Sequence, residues 1–284
     1  MSDRNKNKIK HIICIQDISC FGKCSLTIAL PILNAAGHHV SPLPTSLLST
    51  HTGGLGKPYI HDLHHDMQQI KNHWQTLQLS VDALYSGYAS NQEQIHEIIH
   101  TFQQYPHALH LIDPVMGDHG RRYSSLDEPI ETAMKALCME ADIITPNMTE
   151  AYILLDEPYK SAPYQESELI RITKALQKRY DADIILTGAA ISEKQLGCVS
   201  LDKTSEPQIM MSEHLPYRYH GSGDLFTSAF LGAYLNNHTL TQACKTAMSY
   251  TTMCMKYSYE NSQEERYGIL FEPLLSEYMK LCQS

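Results

Sequence analysis

A chain of 284 residues, 43% apolar and 19% charged, has the make-up of one large globular domain or two small ones, which excludes disorder, collagen and coiled coil. The net charge is −9, from 22 basic and 31 acidic residues, so there is no general electrostatic drive toward nucleic acid or an anionic membrane, although a few backbone N–H groups can still bind a phosphate locally. No apolar run approaches the ~18 residues of a membrane span, and the 8 Cys, scattered with no CxxC, point to reduced thiols in a cytoplasmic protein.

The polar and basic residues 1–9 are expected to be flexible, and Ile12–Ile15 after them is too short for a signal-peptide core. A strand is predicted over His11–Gln16, then the loop QDISCFGKCS (16–25) and a helical pattern over 24–36. FGKCS looks like the end of a phosphate loop, but Asp17 stands where its first Gly belongs and Cys24 where Ser or Thr belongs, so it is not a Walker A motif. The Pro- and Thr-rich SPLPTSLLSTHTGGLG (41–56) reads equally as a plain loop or as a pocket wall or lid. A helical pattern covers 61–77, in which HDLHHD puts His61 and His65 one turn apart on a solvated face.

Next come a strand over Asp82–Ser86, the loop SGYAS (86–90) and a helix over 91–104. That helix carries HEIIH (96–100), the zinc-peptidase pattern. Ile95, Ile98, Ile99 and Phe102 form its buried stripe, which leaves His96, Glu97 and His100 off the stripe, and no third ligand follows; it reads as a surface helix. A strand over Ala108–Ile112 leads into DPVMGDHG (113–120), whose Asp113 and Asp118 either hold a hard cation through water or shape a polar turn. After a helix over 126–139 and a strand over Asp142–Thr145 comes TPNMTE (145–150). Asn147 and Glu150 there are either ligands or a helix entry, with Asn147 as cap and Glu150 at the third helical position. A helix over 166–179, a strand over Asp183–Thr187 and the loop TGA (187–189) follow. Beyond 196 lie shorter strands, Gly197–Leu201 and Gln208–Met211, and helices over 223–236, 239–257 and 273–282.

Alternating strands and helices imply a parallel sheet covered on both faces, and nothing marks a boundary, so 1–284 reads as a single α/β domain. Ligands of such sheets bind outside the carboxyl ends of the strands. One more segment matters. In HGSGD (220–224) two glycines flank Ser222, and Asp224 opens an amphipathic helix. Backbone amides there can meet an anion, and the acid can take a proton from an attacking hydroxyl; the plain alternative is Asp224 as helix cap.

IQDISCFGKCSLT, PLPTSLLSTHTGG, SGY, DPVMGD, TPNMTE and HGSGD, in this order and spacing, make the chain resemble the ribokinase-like superfamily, and within it the pyridoxal/pyridoxine/pyridoxamine kinases. The resemblance implies a ribokinase-like three-layer α/β/α sandwich with a mostly parallel central sheet. It implies ATP-dependent phosphorylation of the 5′-hydroxymethyl group of B6 vitamers in pyridoxal 5′-phosphate salvage, with Mg²⁺, K⁺ as a further cation, and a homodimer. Hydroxymethylpyrimidine kinase of thiamine biosynthesis is the alternative within the superfamily. By the same resemblance Asp224 is the catalytic base and Gly221, Ser222 and Gly223 form an anion hole. Asp113, Asp118, Glu150 and Thr187 attend the nucleotide, with Asp118 and Glu150 at the metal. Thr45 and Tyr88 line the pyridine ring beside Asp17 and Asp224. Many pyridoxal kinases have Ser where Asp17 stands, and an Asp there favours a protonated ring or an amine-bearing vitamer. His220 occupies a position where some dual-specificity vitamin kinases carry Cys.

Overall fold

The computed structural model describes residues 8–123 and 127–283, so the flexibility expected of 1–9 falls almost wholly outside the described residues. The chain opens with strand β1 (His11–Ser19), helix α1 (Leu26–Ala35), β2 (His39–Leu48), β3 (Ile60–Asp62) and α2 (His64–Thr76). It continues through β4 (Ala83–Ser86), α3 (Gln92–Gln104), β5 (Leu109–Ile112), a small hairpin of β6 (Gly117–Asp118) and β7 (Arg121–Arg122), and α4 (Glu128–Cys138). Then come β8 (Ile143–Ile144), α5 (Met148–Leu154), α6 (Glu166–Tyr180), β9 (Asp183–Ser192), β10 (Gln195–Leu201) and β11 (Gln208–Glu213). The helices α7 (Ser222–Leu235), α8 (Leu240–Glu260) and α9 (Leu275–Leu281) complete it.

Nine strands form one sheet in the order β11-β10-β9-β8-β5-β4-β1-β2-β3. The six from β9 to β2 run parallel, and β3, β10 and β11 are antiparallel additions at the edges. Strand alternation sends Ile13 and Ile15 to one core with α2 to α6, and Ile12 and Cys14 to the other with α1, α7, α8 and α9. This is the expected three-layer α/β/α sandwich. The order of strands reverses around β1, which sends the chain to β2 on one side and to β4 on the other, so the crevice between the carboxyl ends of β1 and β4 is the switch point where ligands of such sheets bind.

Three elements differ from the sequence reading. The helix expected from 61 begins only at His64, because Ile60–Asp62 pairs with β2 as β3, so His61 and His65 are not one turn apart on a helix. The segment expected to be loop, wall or lid begins as a full strand, β2. Pro42 and Pro44 disguise it; they sit opposite Cys14 and Gln16, and β3 covers the outer edge of β2 only at Ser46–Leu48. An uncovered edge tolerates residues that cannot donate to a ladder. Likewise TGA is no loop: β9 runs on to Ser192, with Thr187 and Gly188 bulged opposite Cys198 and Gly188 at φ +69°, which a glycine adopts freely.

Candidate active site

Asp224 is the centre of the site. The cap of α7 is Gly221, not Asp224, so the acid stands at the third helical position with its side chain free to reach out. Its Oδ2 accepts from the Ser25 backbone N–H at 2.9 Å, and Ser25 caps α1. Two helix starts 199 residues apart therefore meet on one carboxylate. The FGKCS loop that fails as a Walker A motif is the segment that supplies this donor. Gly221 is obligatory here: φ is +81°, and a Cβ would lie 2.3 Å from the Lys23 carbonyl oxygen and 2.5 Å from Ile28 Cδ1. Around Gly223 a Cβ would meet nothing within 4 Å, so the first turn of α7 opens onto free space. The Ser222 amide is turned back to the Tyr219 carbonyl at 3.3 Å, while helix geometry leaves the amides of Gly223 and Asp224 without intrahelical acceptors.

On one side of Asp224 lies Asp17. It belongs to β1 rather than to the loop after it, at the irregular step between Gln16 and Ile18, where it faces Thr45 and Ser46 across the ladder. Its carboxylate is buried and accepts from Ser19 Oγ at 3.0 Å. Burial raises its pKa; hydrogen bonds from Ser25 and Ser19 and the nearby His51 oppose the rise. Thr45 is fully buried and donates to the Tyr88 carbonyl at 3.1 Å, which ties β2 to the SGY loop. Asp17, Thr45 and Tyr88 thus gather at the switch point.

On the other side lies Asp113, buried at the end of β5, its Oδ2 accepting from Thr227 Oγ1 at 3.3 Å. Beyond it Glu150 closes a capping box at the start of α5: its Oε2 accepts from Asn147 N–H at 2.9 Å, and its Oε1 accepts from Met116 N–H at 3.1 Å. The helix-entry reading of TPNMTE holds, and the same carboxylate lies within the influence of Asp113 and Asp118. Thr187 sits beside this box, its N–H donating to the Pro146 carbonyl at 2.9 Å. Asp118 lies on the β6–β7 hairpin, half-exposed, its Oδ1 accepting from His119 N–H at 2.8 Å.

Burial and mutual repulsion act along this line of acids. Burial, with the charge of Asp17 added, pushes Asp224 up to about 7 against the Ser25 N–H. Burial and the Asp224 charge push Asp113 up to about 8. Burial and Asp113 push Glu150 well above the usual carboxylate range, with the Asn147 and Met116 amides opposing. No lysine or arginine is among the groups acting on these three. A row of hard oxygen donors whose ionisation no cationic side chain favours fits a divalent cation that arrives with a polyphosphate. Among the described residues no three His, Cys, Asp or Glu side chains group to hold a metal ion by themselves.

Sequence reasoning passed over the residues that hold the acids: Ser19, Ser25 and Thr227. It also missed a ring pair at the mouth. The His51 and His220 rings meet with centroids 4.5 Å apart, tilted by 32°. His51 Nδ1 accepts from Gly53 N–H at 3.1 Å, so its Nε2–H donates to the Arg266 carbonyl at 2.7 Å. The HTGG loop is thereby fastened beside the start of α7, and Gly22 and Gly53 leave room for the rings.

HEIIH is resolved differently. Glu97 is buried, against expectation, and forms an ion pair with buried Lys71 of α2, while His96 and His100 are both exposed.

The sequence profile of the phosphomethylpyrimidine kinase family matches residues 33–267. The pyridoxal kinase of Lactobacillus plantarum is 32% identical, superposes with a TM-score of 0.89, and the match covers 96% of this chain and 97% of that one. A Bacteroides thetaiotaomicron protein solved with pyridoxal is also 32% identical, over 95% of this chain and 96% of that one, at a TM-score of 0.90. The Leishmania donovani pyridoxal kinase solved with ADP and pyridoxamine shares the fold, at 21% identity, a TM-score of 0.83 and 96% coverage of both chains.

Proposed function

The chain belongs to the phosphomethylpyrimidine kinase family, in the pyridoxal kinase branch of the ribokinase-like superfamily, and from that premise we propose how its residues phosphorylate the 5′-hydroxymethyl group of B6 vitamers at the expense of ATP. One observation carries the reading: Asp224, gripped by the start of α1, stands between Asp17 and its neighbours at the β1–β4 switch point and the Asp113–Glu150 acids. The vitamer ring lies against Asp17, Thr45 and Tyr88, which turns its hydroxymethyl group toward Asp224. The Asp224 carboxylate takes the hydroxyl proton as the oxygen attacks the γ-phosphorus; the bond to the ADP oxygen breaks, and the vitamer leaves as its phosphate ester. The amides at Gly221 and Gly223 receive the charge of the transferred group, while that of Ser222, part of the expected anion hole, is engaged by the Tyr219 carbonyl.

Asp113, Asp118, Glu150 and Thr187 attend the nucleotide, and Asp118 and Glu150 are the residues that would hold Mg²⁺. When bound, Mg²⁺ neutralises triphosphate charge. The buried carboxyls of Asp113 and Glu150, whose ionisation a cation would favour, support a cation there, and K⁺ is proposed as a further one. ADP in the Leishmania relative supports ATP as donor. A homodimer and a reducing, cytoplasmic setting complete the proposal; eight unpaired cysteines support the latter.

Purified protein is tested for ADP release with ATP and, in turn, pyridoxal, pyridoxine, pyridoxamine and hydroxymethylpyrimidine. The B6 vitamers are expected to turn over fastest. Hydroxymethylpyrimidine is the lesser reading, and a clear preference for it would make the protein a pyrimidine kinase instead.

A further inference from the structure

Three buried side chains of the elements that build the site carry polar atoms without a protein partner. Gln16 of β1, Tyr85 of β4 and Ser228 of α7 are fully buried. Among the described residues Gln16 Oε1 and Nε2, the Tyr85 hydroxyl and Ser228 Oγ have no hydrogen-bond partner. Strand alternation puts Gln16 and Tyr85 on the sheet face of Ile12, Cys14 and Ala83, which α7 covers. Ser228 is about one helical turn beyond Asp224 and directly follows Thr227, the donor to Asp113. The Tyr85 phenol lies against the Gln16 amide and within the field of both Asp113 and Asp224. The glycine of SGY belongs to this layer: a Cβ at Gly87 would lie 3.1 Å from Gln16 Cδ and 3.2 Å from its Nε2, so Gly87 makes room for the amide.

A buried polar atom without a partner forfeits its hydration, and folded proteins fill such places with ordered water. Gln16 and Tyr85, on one sheet face, bring both the donors and the acceptors that one or two waters need, and Ser228 adds a further hydroxyl. We propose that Gln16, Tyr85 and Ser228 bind ordered water under Asp224, and that this buried water holds the Asp224 carboxylate in its working orientation. Tyr85 and Ser228 are then positioning residues; neither touches the vitamer. The charged and titratable groups facing Asp224 are Asp17 of β1, Cys24 before α1 and Asp113 of β5, and none is a cation, so neutral donors are what remains to steady it.

The positioning half rests on Asp224 as the base; the water itself does not, and it is sought without turnover. High-resolution crystals of the wild type are expected to hold at least one water bonded to two or more of Gln16, Tyr85 and Ser228, and Tyr85→Phe crystals to lose it. A dry arrangement, in which these side chains bond one another directly, overturns the proposal. In solution Tyr85→Phe and Ser228→Ala should keep the wild-type melting temperature and vitamer KM while kcat falls about three- to tenfold, the scale of one neutral hydrogen bond. Water present in the wild type with kcat unchanged in both variants overturns the positioning role. An active Asp224→Asn enzyme would instead count against the base and leave the crystallographic result standing.

Discussion

Asp224 and Asp17 each make a separate demand of a single substitution. Asp224→Asn keeps an acceptor for the Ser25 N–H and removes the proton acceptor. Its kcat is expected to fall at least ~10²-fold, the range of general base catalysis, with ATP binding little changed. A variant that turns over near the wild-type rate would remove Asp224 from the mechanism. Asp17→Asn acts at one remove. The Asp17 charge helps to raise the pKa of Asp224, so removing it should let Asp224 ionise more readily. The acid limb of the kcat–pH profile then moves to lower pH, the vitamer KM rises and the ATP KM stays. Superimposable profiles for the two proteins would mean that Asp17 acts on neither the base nor the ring.

The start of α7 shows how one glycine motif divides its labour between positions. Gly221 has φ +81° with the Lys23 carbonyl against it, whereas Gly223 faces open space within the helix. Gly221→Ala must displace the 22–25 segment that delivers the Ser25 N–H, so it is expected to cost roughly 2 kcal/mol or more and to lower kcat with it. Gly223→Ala should melt within about 0.5 kcal/mol of the wild type, as surface changes do. Denaturant titration of both variants checks this, and equal losses would contradict the division. HEIIH teaches the related lesson for a helix. Its stripe was legible from Ile95, Ile98 and Phe102, yet Glu97 beside the stripe is buried because Lys71 of the neighbouring helix neutralises it. A partner on another element is invisible to periodicity.

At the scale of the molecule, the line of acids sets how stability varies with pH. Asp113 rises from the ordinary Asp range to about 8 and Asp224 to about 7 on folding. Groups raised in this way contribute stability that is complete below their unfolded pKa, near pH 4 on the usual scale, and that is lost as pH climbs through the folded values. Without nucleotide the melting temperature should therefore decline as pH rises from 5 to 8.5. Asp113→Asn cannot ionise, so its decline should be shallower and its melting temperature at pH 8 higher than the wild type's by at least ~3 °C. Parallel curves for the two proteins would show that Asp113 is not held protonated.

How much of this was open to reading from the chain follows from range. Apolar β-branched runs punctuated by Gly and acidic loops are local patterns, and they disclosed five core strands, the layering and the motifs that hold Asp113, Asp118, Glu150 and Asp224. β2 stayed hidden because Pro42 and Pro44 remove the local signal, and only the open edge beside β1 makes them admissible. The extension of β9 stayed hidden because Thr187 and Gly188 read as a turn until β10 pairs across them. Ser25 looked like the remnant of a failed phosphate loop; its N–H matters only because the fold carries the start of α7 to the start of α1. The raised acids and the buried polar atoms of Gln16, Tyr85 and Ser228 have the same origin. Burial and charge proximity depend on which strands become neighbours, and the order β5-β4-β1 is a property of the folded sheet.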